Sequence, residues 1–209
     1  MTTKMAITKV EVGPIGTNCY VLAEEQAGLC AVIDPGDEPE RVAKAIEATK
    51  CKPAMILLTH GHFDHYTGVK GLLERYPDLP VYIHPADATD AAHSELLFPR
   101  LDGKNQRYYK EGDTLHLGAL PITVMETPGH SKGSVCLVTD TMIFCGDTLF
   151  RMSCGRTDFP GGDYREILQS LKRLAELPGD YACLPGHMES TTLDFERGHN
   201  PYMKQGMTV

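Results

Sequence analysis

The sequence contains no run of about 18 or more apolar residues, so no stretch of it reads as a membrane-spanning helix. Its first thirteen residues, MTTKMAITKVEVG, lack the apolar core of a secretory signal, which predicts a cytoplasmic protein. It also lacks a Cys-x-x-Cys pair. The seven cysteines (Cys19, Cys30, Cys51, Cys136, Cys145, Cys154 and Cys183) are scattered and odd in number, which fits buried free thiols in a reducing compartment better than a disulfide framework. Positive charge is in deficit: 20 Lys and Arg against 28 Asp and Glu leave a net charge of −8. That excludes a general affinity for nucleic-acid phosphates, though not a nuclease whose metals supply local positive charge. Low-complexity linkers and short tandem repeats are missing too. A chain of 209 residues with 42% hydrophobic side chains can bury one sizeable core, and the expectation is a single domain over 1–209.

Periodicity supplies the elements. MAITKVEV alternates, GPIGTN turns, and CYVLAEE and LCAVIDPG continue as strands, so the chain opens with an antiparallel meander ending at Asp34-Pro35-Gly36. EPERVAKAIEATK places Val42, Ala45 and Ile46 at helical spacing. PAMILLTH is a continuous apolar run of the kind a strand buried on both faces produces. A second helix is expected from Thr67 in TGVKGLLERY, stopped by Pro77, and PVYIHPAD reads as a strand followed by a helix start. Residues 88–111 read as a covering loop. In the second half DTLHLG, LPITVMETPG, GSVCLVTD, TMIFCGD and YACLPG are strand-like. DYREILQSLKRLAEL is an amphipathic helix with Asp163 as N-cap and Ile167, Leu168, Leu171 and Leu174 on its core face. Two strand-rich halves, each carrying helices, predict an α/β four-layer αββα sandwich of two mixed sheets.

The densest chemistry is in ILLTHGHFDHYTG, where His60, His62, Asp64 and His65 follow the apolar run. Residues 60, 62 and 64 are spaced by two and project alike in an extended segment, while His65 diverges, so one short segment can address two neighbouring metal positions. Three later residues share a setting, each in a Gly/Pro turn after a strand: His130 in ETPGHSKGS, Asp147 in FCGDTLF and His187 in LPGHMES. Loops at strand ends can bring such a set to one edge of a sheet sandwich. Imidazole nitrogens and carboxylate oxygens suit zinc, and also iron or manganese.

THGHFDHYTG, ETPGHSKGS, FCGDTLF, GRTDFPGGD and PGHMESTTL, in that order and spread over most of the chain, resemble the metallo-β-lactamase-fold hydrolases. Within them the resemblance is to the glyoxalase II-like (hydroxyacylglutathione hydrolase-like), short single-domain branch. It implies that His60, His62 and His130 bind a first metal ion, that Asp64, His65 and His187 bind a second, and that Asp147 bridges both. It further implies two divalent cations, zinc foremost with iron or manganese as alternatives, and hydrolysis of acyl thioesters such as S-lactoylglutathione. The nucleophile would be a metal-bridging hydroxide held by Asp64 and Asp147. Asp rather than Cys at position 147, and His65 directly after Asp64, resemble the binuclear thioester hydrolases more than the true lactamases. The alternatives are a mononuclear iron persulfide dioxygenase, which would use His60, His130 and Asp147, or a metallohydrolase acting on another ester, lactone or phosphodiester.

Longer glyoxalase II enzymes carry a C-terminal helical domain that grips glutathione, and the tail LDFERGHNPYMKQGMTV has room for only a short helix, so no separate substrate-binding domain is expected. Met188-Glu189 stands where short relatives commonly show Gly-Pro. Arg156 and Asp158 are candidates to orient a metal ligand, and Lys132, beside Ser131, to meet an anionic substrate group. Cys154 is expected to be an inert thiol. His84 and His116 read as packing or surface residues, His93 and His199 as exposed, with His199, Asn200 and Tyr202 as a possible pocket mouth. The expected partner is a small-molecule thioester, without nucleic acid or membrane.

Overall fold

In the computed structural model, which describes residues 4–89, 98–99, 101 and 104–209, the meander predicted at the start is in place. Strands β1 (Met5–Val12), β2 (Thr17–Glu24) and β3 (Leu29–Ile33) pair antiparallel. Helix α1 (Pro39–Thr49) then carries the chain over to β4 (Lys52–Leu57), which lies parallel to β3. After helices α2 (Phe63–Tyr66) and α3 (Val69–Arg75), β5 (Val81–Ile83) extends the sheet in parallel. A short parallel pair, β6 (Ala88–Thr89) and β7 (Phe98–Pro99), precedes β8 (Gln106–Tyr108), and the first sheet has the order β1-β2-β3-β4-β5-β8. The expected covering loop over 88–111 therefore holds strand in its described part; His93 lies outside the described residues.

The second sheet is built from β9 (Thr114–Leu117), β10 (Leu120–Glu126), β11 (Val135–Val138) and β12 (Met142–Gly146), all antiparallel. A small hairpin of β13 (Leu149–Phe150) and β14 (Ser153–Cys154) follows, then helix α4 (Tyr164–Ala175). Strand β15 (Ala182–Pro185) returns parallel to β12, and β16 (Thr191–Thr192) closes the order β16-β15-β12-β11-β10-β9. The chain ends in α5 (Leu193–His199) and α6 (Pro201–Gly206), so the tail forms two short helices. No described helix is long and apolar enough to cross a membrane.

Strand alternation produces the layers. All eight residues of β2 are buried, because its two faces meet different partners. Cys19, Val21 and Ala23 pack with Val42, Ala43 and Ile46 of α1. Tyr20 and Leu22 join Leu57, Ile122, Leu137 and Phe144 between the two sheets. On the far side of the second sheet Cys136, Ile143, Cys145 and Cys183 meet Leu168, Leu171 and Leu174 of α4. The three cores separate four layers, α, β, β and α, as the two strand-rich halves predict. All seven cysteines are free, and five of them are buried in these cores. Asp163 caps α4 as expected, its carboxylate accepting from the Glu166 amide at 2.9 Å.

The helix expected from Thr67 forms as α3, beginning at Val69. At its junction with α2 the Gly68 amide donates to the Pro35 carbonyl at 2.9 Å, and a Cβ on Gly68 would lie 2.7 Å from that oxygen. The turn after β3 thus presses against the junction of the two helices, which seats the turn beside the His60–His65 loop.

Candidate metal centre

Each predicted site segment leaves the C-terminal end of a strand: Asp64 and its three histidine neighbours follow β4, His130 follows β10, Asp147 follows β12 and His187 follows β15. Backbone bonds register the two sheets here. The Val135 amide donates to the Thr59 carbonyl at 2.8 Å, and the Asn18 amide to the Gly186 carbonyl at 2.7 Å. Gly186 is needed for its size: a Cβ would stand 2.4 Å from Asp147 Oδ1 and 2.6 Å from His65 Cε1.

The seven predicted donors come together. His60, His62 and His130 bring ligand atoms within 4.8 Å of one another, and so do Asp64, His65 and His187. Asp147 lies between the groups: its carboxylate is 3.6 Å from His130 Nε2 and 3.5 Å from both His65 Nε2 and His187 Nε2. His187 Nε2 is 3.2 Å from Asp64 Oδ2, which also lies 3.5 Å from His65 Nε2 and accepts from the Thr17 hydroxyl at 3.2 Å.

The outward nitrogens are spent on the protein. His130 Nδ1 donates to the Arg156 carbonyl at 2.8 Å. His65 Nδ1 donates to Asp34 Oδ2 at 3.0 Å. The Thr59 hydroxyl donates to Asp34 at 2.6 Å and so receives the His60 Nδ1 proton at 3.1 Å. These bonds fix each tautomer, leaving lone pairs on His60 Nε2, His65 Nε2 and His130 Nε2 turned towards the other donors. His60 Nε2 and Asp147 Oδ1 are buried without any hydrogen-bond partner, and His62 Nδ1 faces His130 Nε2 at 2.8 Å. Buried acceptors without donors are costly, and converging lone pairs repel unless a cation or proton sits among them. The donor set therefore fits divalent cations.

The electrostatics divide the set: His60 and His62 are neutral, while the second group holds protons that a cation would displace. Burial first, and then the neighbouring histidines, push the His60 imidazolium well below its usual range. Burial, and then His130, lower His62 to about 4. Both are thus neutral donors at neutral pH. Burial disfavours the His65 cation as well, but Asp147, Asp34 and Asp64 outweigh it and lift His65 to about 9. His187 is also raised: burial lowers it, but the Asp64 hydrogen bond and the Asp147 charge prevail. Burial acts to raise Asp64, and the His187 hydrogen bond with the His65 and His187 charges overrides it, holding the carboxyl well below the usual range.

Two functional carboxylates escaped the sequence reading. Asp34, at a left-handed φ of 49°, accepts from the Thr59 amide and hydroxyl and from His65. Asp87 is fully buried and accepts from the Gly61 amide at 2.9 Å, the Ser131 hydroxyl at 2.5 Å and the Gly133 amide at 2.7 Å. It thereby ties the His60–His62 loop of one sheet to the His130 loop of the other. The only signal for Asp34 was its place in the Asp-Pro-Gly turn after a strand.

Other expected residues sit differently. Arg156 and Asp158 are exposed and pair with each other through two 2.7 Å bonds, so it is the backbone carbonyl of Arg156, not either side chain, that orients His130. Lys132 is bonded to both oxygens of Glu166. Asn200 is buried, holding Ser153 and Glu196 and capping α6, while His199 stacks on Phe195, so neither forms a pocket mouth. His84 bonds Glu126 at 3.0 Å and His116 is exposed on β9. Cys154 borders the site, and burial pushes its thiol up to about 11, which leaves it inert. Above the donors opens a cleft of about 540 Å³, walled by Ile15, Phe63, Phe150, Phe159 and Met188.

Comparison with known proteins places this arrangement. The profile described as the metallo-beta-lactamase superfamily matches residues 12–187. The chain is 35% identical to the "Probable metallo-hydrolase YqgX" of Bacillus subtilis (strain 168), over 93% of this chain and 96% of that one. The crystal structure of TTHA1623 in a di-iron-bound form is 38% identical, with a TM-score of 0.78 over 93% of this chain and 99% of the other. That of the BLEG-1 B3 metallo-beta-lactamase is 30% identical, with a TM-score of 0.82 over 95% and 99%.

Proposed function

This chain belongs to the metallo-beta-lactamase superfamily, and from that premise we propose that it is a hydrolase of acyl thioesters of the S-lactoylglutathione type, working with two divalent cations. The observation that carries the reading is the set of inward lone pairs: imidazoles whose outer N–H groups are engaged by protein acceptors, with His60 Nε2 and Asp147 Oδ1 left unpaired among them. His60, His62 and His130 would hold the first cation, Asp64, His65 and His187 the second, with Asp147 placed between the two groups.

Two such cations supply an activated water as nucleophile and Lewis acidity towards the thioester carbonyl. The chain's own part is to position and to select. Asp34 and the Arg156 carbonyl keep their histidines in the donor tautomer. Asp87 sets the distance between the His60 and His130 loops. The aromatic walls Phe150 and Phe159 thin the water around the donors and so strengthen their electrostatics. Among the described residues, Asp64 and Asp147 are the only carboxylates lining the cleft, and both belong to the donor set. No separate general acid stands there for a poor leaving group, which favours a thiolate over an amine. The di-iron-bound relative supports iron beside zinc as the metal. The similarity of this chain to a B3 lactamase makes β-lactams the natural comparison substrate.

We further read the chain as one cytoplasmic domain whose partner is the small-molecule thioester. Metal analysis with turnover under argon tests the function. Close to two metals per chain and oxygen-independent thiol release are expected. One iron per chain with oxygen uptake on glutathione persulfide would overturn it in favour of a dioxygenase.

A further inference from the structure

Nine large hydrophobic side chains among the described residues are exposed, and three of them, Ile15, Phe63 and Met188, stand together at the mouth of the metal cleft. They come from three separate segments: the β1–β2 turn, the start of α2 and the residue after His187. Ile15 is 54% exposed, Phe63 42% and Met188 65%. Three exposed apolar side chains lining one cleft beside a polar centre mark a contact surface more than chance scatter does.

Met188 adds a second observation. Its φ is 67°, in the left-handed region that glycine adopts freely and a long side chain does not. The conformation is pinned from below: Asn18 Nδ2 donates to the Met188 carbonyl at 2.9 Å and to the Pro185 carbonyl at 3.0 Å. A strained residue carrying an exposed apolar side chain over a site points to a role for that side chain.

Charge completes the case. Arg156 is the only cation lining the cleft among the described residues, and its guanidinium is neutralised by two bonds to Asp158 while lying over the Phe159 ring at 4.0 Å. Among the described residues, no free cation is therefore offered to the two carboxylates of a glutathione carrier. We propose that Ile15, Phe63 and Met188 form an acyl-binding lip, and that the preferred thioesters carry an unbranched apolar acyl chain of about four to eight carbons. This rests on the thioesterase reading. The reaction is RC(O)–SR′ plus water: the water oxygen bonds to the carbonyl carbon, the C–S bond breaks, and the sulfur leaves as thiol with one of the water protons.

The test uses the zinc-loaded chain with acetyl, butanoyl, hexanoyl and octanoyl thioesters of N-acetylcysteamine, and with S-lactoylglutathione. Full burial of a methylene is worth about fourfold, so partial burial on an open lip predicts kcat/KM rising at least about tenfold from acetyl to hexanoyl. Hexanoyl-N-acetylcysteamine should also exceed S-lactoylglutathione. Met188→Gly should compress the hexanoyl-to-acetyl ratio to under about threefold while the melting temperature holds or rises, since glycine suits the left-handed position. Ile15→Ser, on a different segment, should compress the same ratio. Turnover of all the thioesters with a flat chain-length profile, or an unchanged ratio in both variants, overturns the lip and leaves the thioesterase reading standing. A doubly metal-loaded chain that cleaves none of them overturns that reading and the lip with it.

Discussion

At the scale of single residues the site depends on carboxylates doing different work. Asp147 lies among the donors with one oxygen unpaired, and as the proposed bridge it would contact both cations. Asp147→Ala is expected to lower kcat/KM by more than about a hundredfold, because loss of an outer partner alone costs roughly 10–100-fold. The metal-free variant should still fold but melt lower at neutral pH, since it loses the leading charge that holds the His65 cation. Full activity in that variant would remove the bridging assignment. Asp34 acts through His65 and Thr59. In Asp34→Asn the amide cannot accept from all three donors at once, so zinc affinity should drop about 10–100-fold in a chelator competition. The donors nearest in sequence were legible because four of them crowd into six residues. Asp34 and Asp87 were not, because a lone carboxylate has no spacing signature and their partners lie 25 to 46 residues away.

At the scale of elements the layers follow from alternation, and the sequence reading placed most strands and the two longer helices, α1 and α4. It also placed the helix after Thr67, which forms as α3. It did not show where one segment presses on another: the Asp-Pro-Gly turn takes the Gly68 amide at the junction of α2 and α3. The turn that carries Asp87 between β5 and β6 is a second such place, since it looks like an ordinary Pro-Ala-Asp connection yet couples the two sheets. Asp87→Asn should therefore act selectively. The amide keeps the size but must present its NH₂ to at least one N–H donor, and the His60–His62 and His130 loops then separate. Affinity at the first cation position should fall about 10–100-fold while the second, held by Asp64, His65 and His187, changes little. A two-step metal titration distinguishes this from a general loss of stability, in which both steps would weaken together.

At the scale of the whole molecule two bound cations would tie the sheets together, because the proposed ligands of each come from both. A ligand present at a thousand times its dissociation constant stabilises the folded state by about 4 kcal/mol, worth roughly 8–16 °C for a chain of this size. The zinc-loaded protein should melt higher than the chelated one by about that amount in calorimetry. The difference should also depend on pH in a defined direction. In the metal-free chain His65 is lifted from 6.5 to about 9 by Asp147, Asp34 and Asp64 acting against burial. A raised pKa contributes stability that is fully present below 6.5 and is lost as pH climbs through 9. In the loaded chain the same nitrogen must be deprotonated to bind, so rising pH removes a competing proton. Between pH 6.5 and 9 the chelated protein should lose melting temperature while the zinc-loaded protein holds or gains it, and loading at pH 7.5 should release protons to the buffer. A gap that narrows with pH would show that His65 is not a ligand.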